Sequence, residues 1–380
     1  MSTTNHTCRP SRRSHLPILA LVLALAACNS GGGAAAGNSG GAPAPTPAPP
    51  ANPQNAQPAF ARLWLPNFNA AELRAWNRAS LLADRDNAPD VVVRLPNGSR
   101  PNAATFDATG NLYVTDNQNA RILLFTRAQL QVSGQPTPAV VIDTDGTSLQ
   151  NAIGLAFDRD SNLWVAAGGR LEMYEPENLD DSGPTTPNRV VTAAGLGLPA
   201  DLTFDAGGNL WLSNASFTAG QNSVVVFTPD QLAAGGQQVP RLVLRSNAFA
   251  LIEGLRFDAQ GSLWVASNDG LNIAKFAAAD LVLPATPATR NLVPAASLTA
   301  NGDDAPTGRS VRKPGGIVFD SDGSLWVNSQ RGNQGGTDSG LLQFTAAQLA
   351  FSGPAAVPAN MLVRSATSNP GFGGMVLELP

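Results

Sequence analysis

The chain has 380 residues with 24 basic and 28 acidic side chains, a formal charge of −4, and 14% charged against 43% hydrophobic residues. Lys275 and Lys313 are its only lysines, and the acidic balance excludes the basic footprint that nucleic acid or an anionic lipid surface requires. Both histidines (His6, His15) and both cysteines (Cys8, Cys28) lie at the amino end, which excludes His-dependent chemistry and internal disulfides from everything after Cys28.

Arg9, Arg12 and Arg13 precede an apolar run from Leu16 to Ala27, too short to span a bilayer as a helix and placed as an export signal. The run ends at Leu25-Ala26-Ala27-Cys28, which resembles a bacterial lipoprotein lipobox; the alternative is an ordinary secretory signal that contains a cysteine. The resemblance implies cleavage before Cys28, lipidation of that residue, and anchoring to the membrane by lipid. Ser11-Arg12-Arg13-Ser14-His15-Leu16 resembles a twin-arginine export motif, with His15 where that motif usually has Phe. Asn29 stands where an Asp would favour inner-membrane retention, so the expected location is the outer membrane of the cell envelope. Loss of residues 1–27 removes three arginines and leaves 21 basic against 28 acidic groups.

Residues 28–59 are dominated by Gly, Ala, Pro, Asn and Ser, with no apolar face to bury, and read as a flexible tether. Residues 60–380 are long enough to bury a core without disulfides.

Within that segment one hairpin recurs: Phe106 (FDATGNLYV), Phe157 (FDRDSNLWV), Phe204 (FDAGGNLWL), Phe257 (FDAQGSLWV) and Phe319 (FDSDGSLWV), spaced by 51, 47, 53 and 62 residues. Each copy reads as a strand, a tight turn and a second strand, as in Gly254–Phe257 and Leu263–Ala266. Asp107, Asp158, Asp205, Asp258 and Asp320 are read as turn-formers. Tyr113, Trp164, Trp211, Trp264 and Trp326 are read as packing between sheets.

A second pattern, Phe/Tyr-x4-Leu, occurs at Phe68–Leu73, Phe125–Leu130, Tyr174–Leu179, Phe227–Leu232, Phe276–Leu281 and Phe344–Leu349. Thr126 with Gln129, and Thr345 with Gln348, have capping-box spacing, so the pattern predicts a helical turn after each third strand. A fourth strand follows, as at Val190-Val191 and Arg241–Leu244. The expected fold is therefore all-β: a six-bladed β-propeller with four-stranded antiparallel blades. Its ring is closed by the two chain ends, with Gly373–Glu378 as strand a, Arg62–Phe68 as strand c, Val91–Leu95 as strand d, and no evident strand b.

The Asp-x-x-Gly-[Asn/Ser]-Leu-[Trp/Tyr]-Val pattern, over about residues 60 to 380, is similar to the six-bladed propellers of the NHL-repeat, SMP-30/gluconolactonase and streptogramin-lyase-like superfamily. The resemblance implies the fold; the superfamily includes lactonases, lyases and binding scaffolds.

In a propeller the starts of strands a and the ends of strands b share one end of the central channel. That expected ring holds Asn102, Asp201, Glu253 and Gly315 before strands a, and Asp116, Asn117, Asn214, Asn268, Asp269, Asn328, Gln330 and Arg331 after strands b. Its oxygen-rich side chains suit a hard cation. The gluconolactonase-like resemblance implies calcium, held by Glu253, Asn102 and Asp201 as the nearest matches in residue type. A His-dependent lyase or a Ser-His-Asp hydrolase is disfavoured because no histidine remains after the signal.

Three functions stay open. One is a membrane-anchored extracytoplasmic propeller that binds a protein, glycan or small molecule at the channel mouth, through loops such as 214–223, 330–340 and 303–313. Another is a calcium-assisted lactonase. The third is a structural envelope protein.

Overall fold

The computed structural model describes residues 60–82, 85–299, 311–329, 340–364 and 374–380. The signal, the tether with Cys28, the Gln330 and Arg331 positions and most of the 303–313 and 330–340 loops lie outside the described residues. Six sheets form a β-propeller, five of them five-stranded and one four-stranded. We number the blades by strand a: blade 1 starts at Pro101–Phe106, blade 2 at Ala152–Phe157, blade 3 at Leu198–Phe204, blade 4 at Ile252–Phe257, blade 5 at Pro314–Phe319 and blade 6 at Val376–Glu378.

The recurring aspartate builds each a–b turn. In blade 4, Asp258 Oδ1 accepts the Gln260 and Ser262 backbone N–H groups at 3.1 and 2.8 Å, while Oδ2 accepts Trp264 Nε1–H at 2.9 Å. The same indole-to-aspartate bond, 2.9 Å long, joins Trp164 to Asp158, Trp211 to Asp205 and Trp326 to Asp320. One carboxylate thus closes the turn and satisfies the polar edge of a buried ring. The ring's apolar body meets the next blade edge-to-face: Tyr113 on Phe157, Trp164 on Phe204, Trp211 on Phe257 and Trp264 on Phe319.

Blade 6 obeys the same rule with chain segments far apart in sequence. Its order is Val376–Glu378, Arg62–Asn67, Glu72–Asn77, Val91–Arg94. The expected lettering is corrected here. Arg62–Asn67 is strand b, pairing Leu63 with Leu377 and Trp64 with Val376, and strand c is Glu72–Asn77. Trp64 Nε1 donates to Glu378 Oε2 at 2.7 Å, so Glu378 does the work of the turn aspartate. Phe60 packs on Trp326 at 6.1 Å, taking the place of the strand-a phenylalanine that blade 6 lacks.

The Phe68–Leu73 pattern is not a helical turn; it spans the b–c turn and enters strand c, and the turn of helix follows at Arg78–Leu81. The other capping expectations hold. Thr228 and Gln231 form a reciprocal capping box at Pro229–Ala234. Thr126 N donates to Gln129 Oε1, and Thr345 N to Gln348 Oε1, each at 2.9 Å.

A fifth strand, unforeseen in the sequence, covers the outer edge of blades 1 to 5. Gly183–Pro184, from the c–d link of blade 2, pairs in parallel with strand d of blade 1 at Val140–Asp143. Gly236–Gln237, Ala288–Asn291, Gly353–Ala355 and Arg85–Asp86 do the same for blades 2 to 5. For blade 6 the segment shrinks to a bridge between Val93 and Gly134. The edges that would otherwise invite foreign strands are thereby paired all round the ring.

Candidate functional site

Strand a of blades 1 to 5 begins with a bulge. In blade 1, Pro101 pairs with Asp116 and Ala104 with Val114, leaving one extra residue on strand a. Equivalent shifts lie between Ala152 and Leu155, Pro199 and Leu202, Ile252 and Leu255, and Pro314 and Ile317. A bulge re-aims the side chain it carries, and Asn102, Asp201, Glu253 and Gly315 are all bulge residues. In blades 1 and 3 a hydroxyl bridges the bulge: Thr115 Oγ accepts Ala103 N–H at 3.0 Å, and Ser213 Oγ accepts Asp201 N–H at 2.8 Å.

The expected ring residues fall into two groups. Most are consumed by the fold. Asp116, fully buried, accepts Arg100 N–H on Oδ1, and Asn119 Nδ2 and Arg121 Nε on Oδ2, each at 2.9 Å. Asn214 clamps its d–a link through Gly197 N–H at 2.8 Å and Gly195 O at 2.9 Å. Asn117 donates to Ala152 O of the next blade at 3.1 Å, and Asn268 to Lys313 O at 3.4 Å. Asn328 is buried on strand b of blade 5. Asp201 bridges blades 3 and 4, its Oδ2 accepting Leu255 N–H at 3.2 Å and Arg256 Nη1 at 2.6 Å.

Asn102 and Glu253 form the second group. Asn102 Oδ1 and both Glu253 carboxyl oxygens are buried without a hydrogen-bond partner among the described residues. Burial, and then the charge of Asp269, push the Glu253 pKa well up, against a pull from Lys313. Lys313 Nζ lies 3.9 Å from Asp269 Oδ1. Glu253, Asn268, Asp269 and Lys313 therefore form one cluster across blades 4 and 5.

The three residues expected to hold calcium lie on three different blades, 1, 3 and 4. Asn102 and Glu253 belong to blades 1 and 4, opposite each other in a ring of six. The Asp201 carboxylate is already paired with a guanidinium, and no three His, Cys, Asp or Glu side chains among the described residues group as metal ligands.

Arg256 was missed as a site residue. It precedes the strand-a phenylalanine, a position held by Thr105, Ala156, Thr203, Val318 and Val376 in the other blades. A cavity of about 520 Å3 lies at that end of the channel, where strands a finish, and residues of all six blades line it.

No family model matches the sequence, and no curated protein is detectably similar to it. Among solved structures, a protein of unknown function from Bacteroides caccae superposes with a TM-score of 0.57 at 11% identity, covering 84% of this chain and 99% of that one. A chain of a nidogen/laminin complex gives 0.54 at 15% identity, covering 84% and 98%. A streptogramin B lyase gives 0.47 at 12% identity, covering 78% and 82%. At these identities the likeness shows the propeller fold alone.

Proposed function

We propose that this chain is an exported, lipid-anchored propeller of the NHL and SMP-30-like kind that binds a ligand at the strand-a-start end of its channel. Glu253 carries the reading. Buried polar atoms nearly always have partners, whereas both oxygens of this carboxyl have none among the described residues. Burial raises its pKa and so favours the protonated form, which offers a donor and an acceptor. That pair of functions suits a neutral hydrogen-bonding ligand, a sugar hydroxyl or an amide, better than a metal ion. Lipidation of Cys28 and the tether of residues 28–59 would hold the ring off the outer membrane. A calcium-assisted lactonase is not favoured, because Asp201 faces Arg256.

The test is a thermal-shift screen of the full chain and its Glu253→Ala variant against neutral saccharides and short amides. A shift lost in the variant supports the reading, and an equal shift in both proteins places the ligand elsewhere. For the anchor, Cys28→Ser should move the protein from the membrane pellet to the soluble fraction; retention in the pellet refutes lipidation.

A further inference from the structure

The channel is asymmetric along its axis. At the bulges the inner strands converge so closely that a Cβ on Gly254 would lie 2.6 Å from Gly315 O of the next blade. Two residues on, at Arg256, the wall opens into the 520 Å3 cavity, within the usual range for small-molecule sites. The residue before the strand-a phenylalanine, and Val376 at the matching place in blade 6, is half-buried in every blade: Thr105, Ala156, Thr203, Arg256, Val318 and Val376. Leu155, Leu202, Phe257 and Phe319, among the cavity-lining neighbours of these residues, are buried. Six inner strands thus present one side chain each to one wide lumen.

Five of these six side chains are uncharged, and Arg256 is the exception. Its Nη1 donates to Asp201 Oδ2 and to Leu255 O, both at 2.6 Å. Its Nε and Nη2 have no acceptor among the described residues, and the side chain keeps 23% exposure. Nε and Nη2 form the side-on edge of a guanidinium, whose paired N–H groups match the two oxygens of a carboxylate. The Thr203 and Thr105 hydroxyls on the same level also make no hydrogen bond among the described residues. Ala156, Val318 and Val376 face an apolar body with an apolar wall.

We propose that this cavity, at the opposite end of the channel from Glu253, binds a small apolar molecule bearing one carboxylate, with the carboxylate on the free edge of Arg256. Entry is from the a–b turn face, because the bulge level is the narrow one. The Asp201 ion pair holds the guanidinium through Nη1 and leaves Nε and Nη2 for the ligand.

Isothermal titration of the full chain with decanoate, and with decan-1-ol as its uncharged counterpart, tests the proposal. Decanoate should bind saturably and at least tenfold more tightly than the alcohol. Val318→Trp, which places an indole in the lumen, should abolish binding; Ala156→Phe, on another blade, does the same if the first variant fails to fold. Arg256→Gln should bring the acid and the alcohol to equal affinity. Absence of decanoate binding, binding that survives the folded lumen-filling variant, or a preference for the acid that persists in Arg256→Gln would each overturn it.

Discussion

Trp64 and Glu378, 314 residues apart in sequence, meet through a 2.7 Å hydrogen bond that repeats the indole-to-aspartate bond of the other blades. Arg62 adds an ion pair to the same carboxylate at 3.7 Å, and Ala61 N–H donates to Glu378 O at 2.8 Å. Glu378→Ala strands a buried indole N–H, a loss of about 1–3 kcal/mol. A lower urea midpoint with an unchanged slope is the expected result. An unchanged midpoint would show that strand pairing alone closes the ring.

Asp258 serves two purposes at once, so its variants should separate them. Asp258→Asn retains an acceptor for the turn N–H groups but must aim either an oxygen or an NH2 group at Trp264, and it loses the Lys275 ion pair at 3.2 Å. Asp258→Ala removes the acceptors of two backbone N–H groups and one indole. Denaturant titrations should rank Asn above Ala in stability, with the alanine loss about 2–4 kcal/mol as a sum of such bonds.

Two glycines should fail for different reasons. Gly353, in the segment that covers the edge of blade 4, has φ +73° and no atom within 4 Å of an added Cβ, so Gly353→Ala costs about 1 kcal/mol of backbone strain. Gly254 has no positive φ, but its added Cβ strikes the Gly315 carbonyl. Overpacking of that kind costs about 1–3 kcal/mol. Parallel melts of the two alanine variants should show the larger drop for Gly254→Ala.

Glu253 should make stability fall with rising pH. Its folded pKa lies above the unfolded value of about 4.3 because burial and Asp269 oppose ionisation. Its stabilising share is full below that unfolded value and is lost as pH rises through the folded pKa. Glu253→Gln removes the titration, so variant and parent should melt alike near pH 4 and the variant higher at pH 8. Parallel curves across that range would refute the assignment.

The hairpins, the capping boxes and the six-fold closure were legible because each rests on local chemistry: an aspartate before a turn, an indole after it, a threonine three residues before a glutamine. Blade 6 misled for an equally local reason. Phe68 and Leu73 reproduce the spacing of the helical-turn pattern, while Leu63-Trp64-Leu65, the true strand-b signature, has no Asp-x-x-Gly before it. The outer fifth strands escaped notice because mostly short parallel pairings carry no apolar alternation. Ring residues were legible from their places before strands a and after strands b, but sequence cannot tell whether an aspartate there is free or taken, and Asp201 is taken by an arginine 55 positions on. Arg256 itself was legible as the one charged residue in a column of Thr, Ala and Val.

The split sixth blade also imposes an order in time. As the chain is made from its amino end, strands b, c and d of blade 6, with Trp64 on strand b, come first, and the strand that covers their inner edge comes after all five other blades. Until Val376–Glu378 arrives, the ring is an open arc with one unpaired inner edge and one indole waiting for its acceptor. Loss of those few residues should therefore cost far more than their length suggests, leaving every repeat intact in sequence and the circle unable to close.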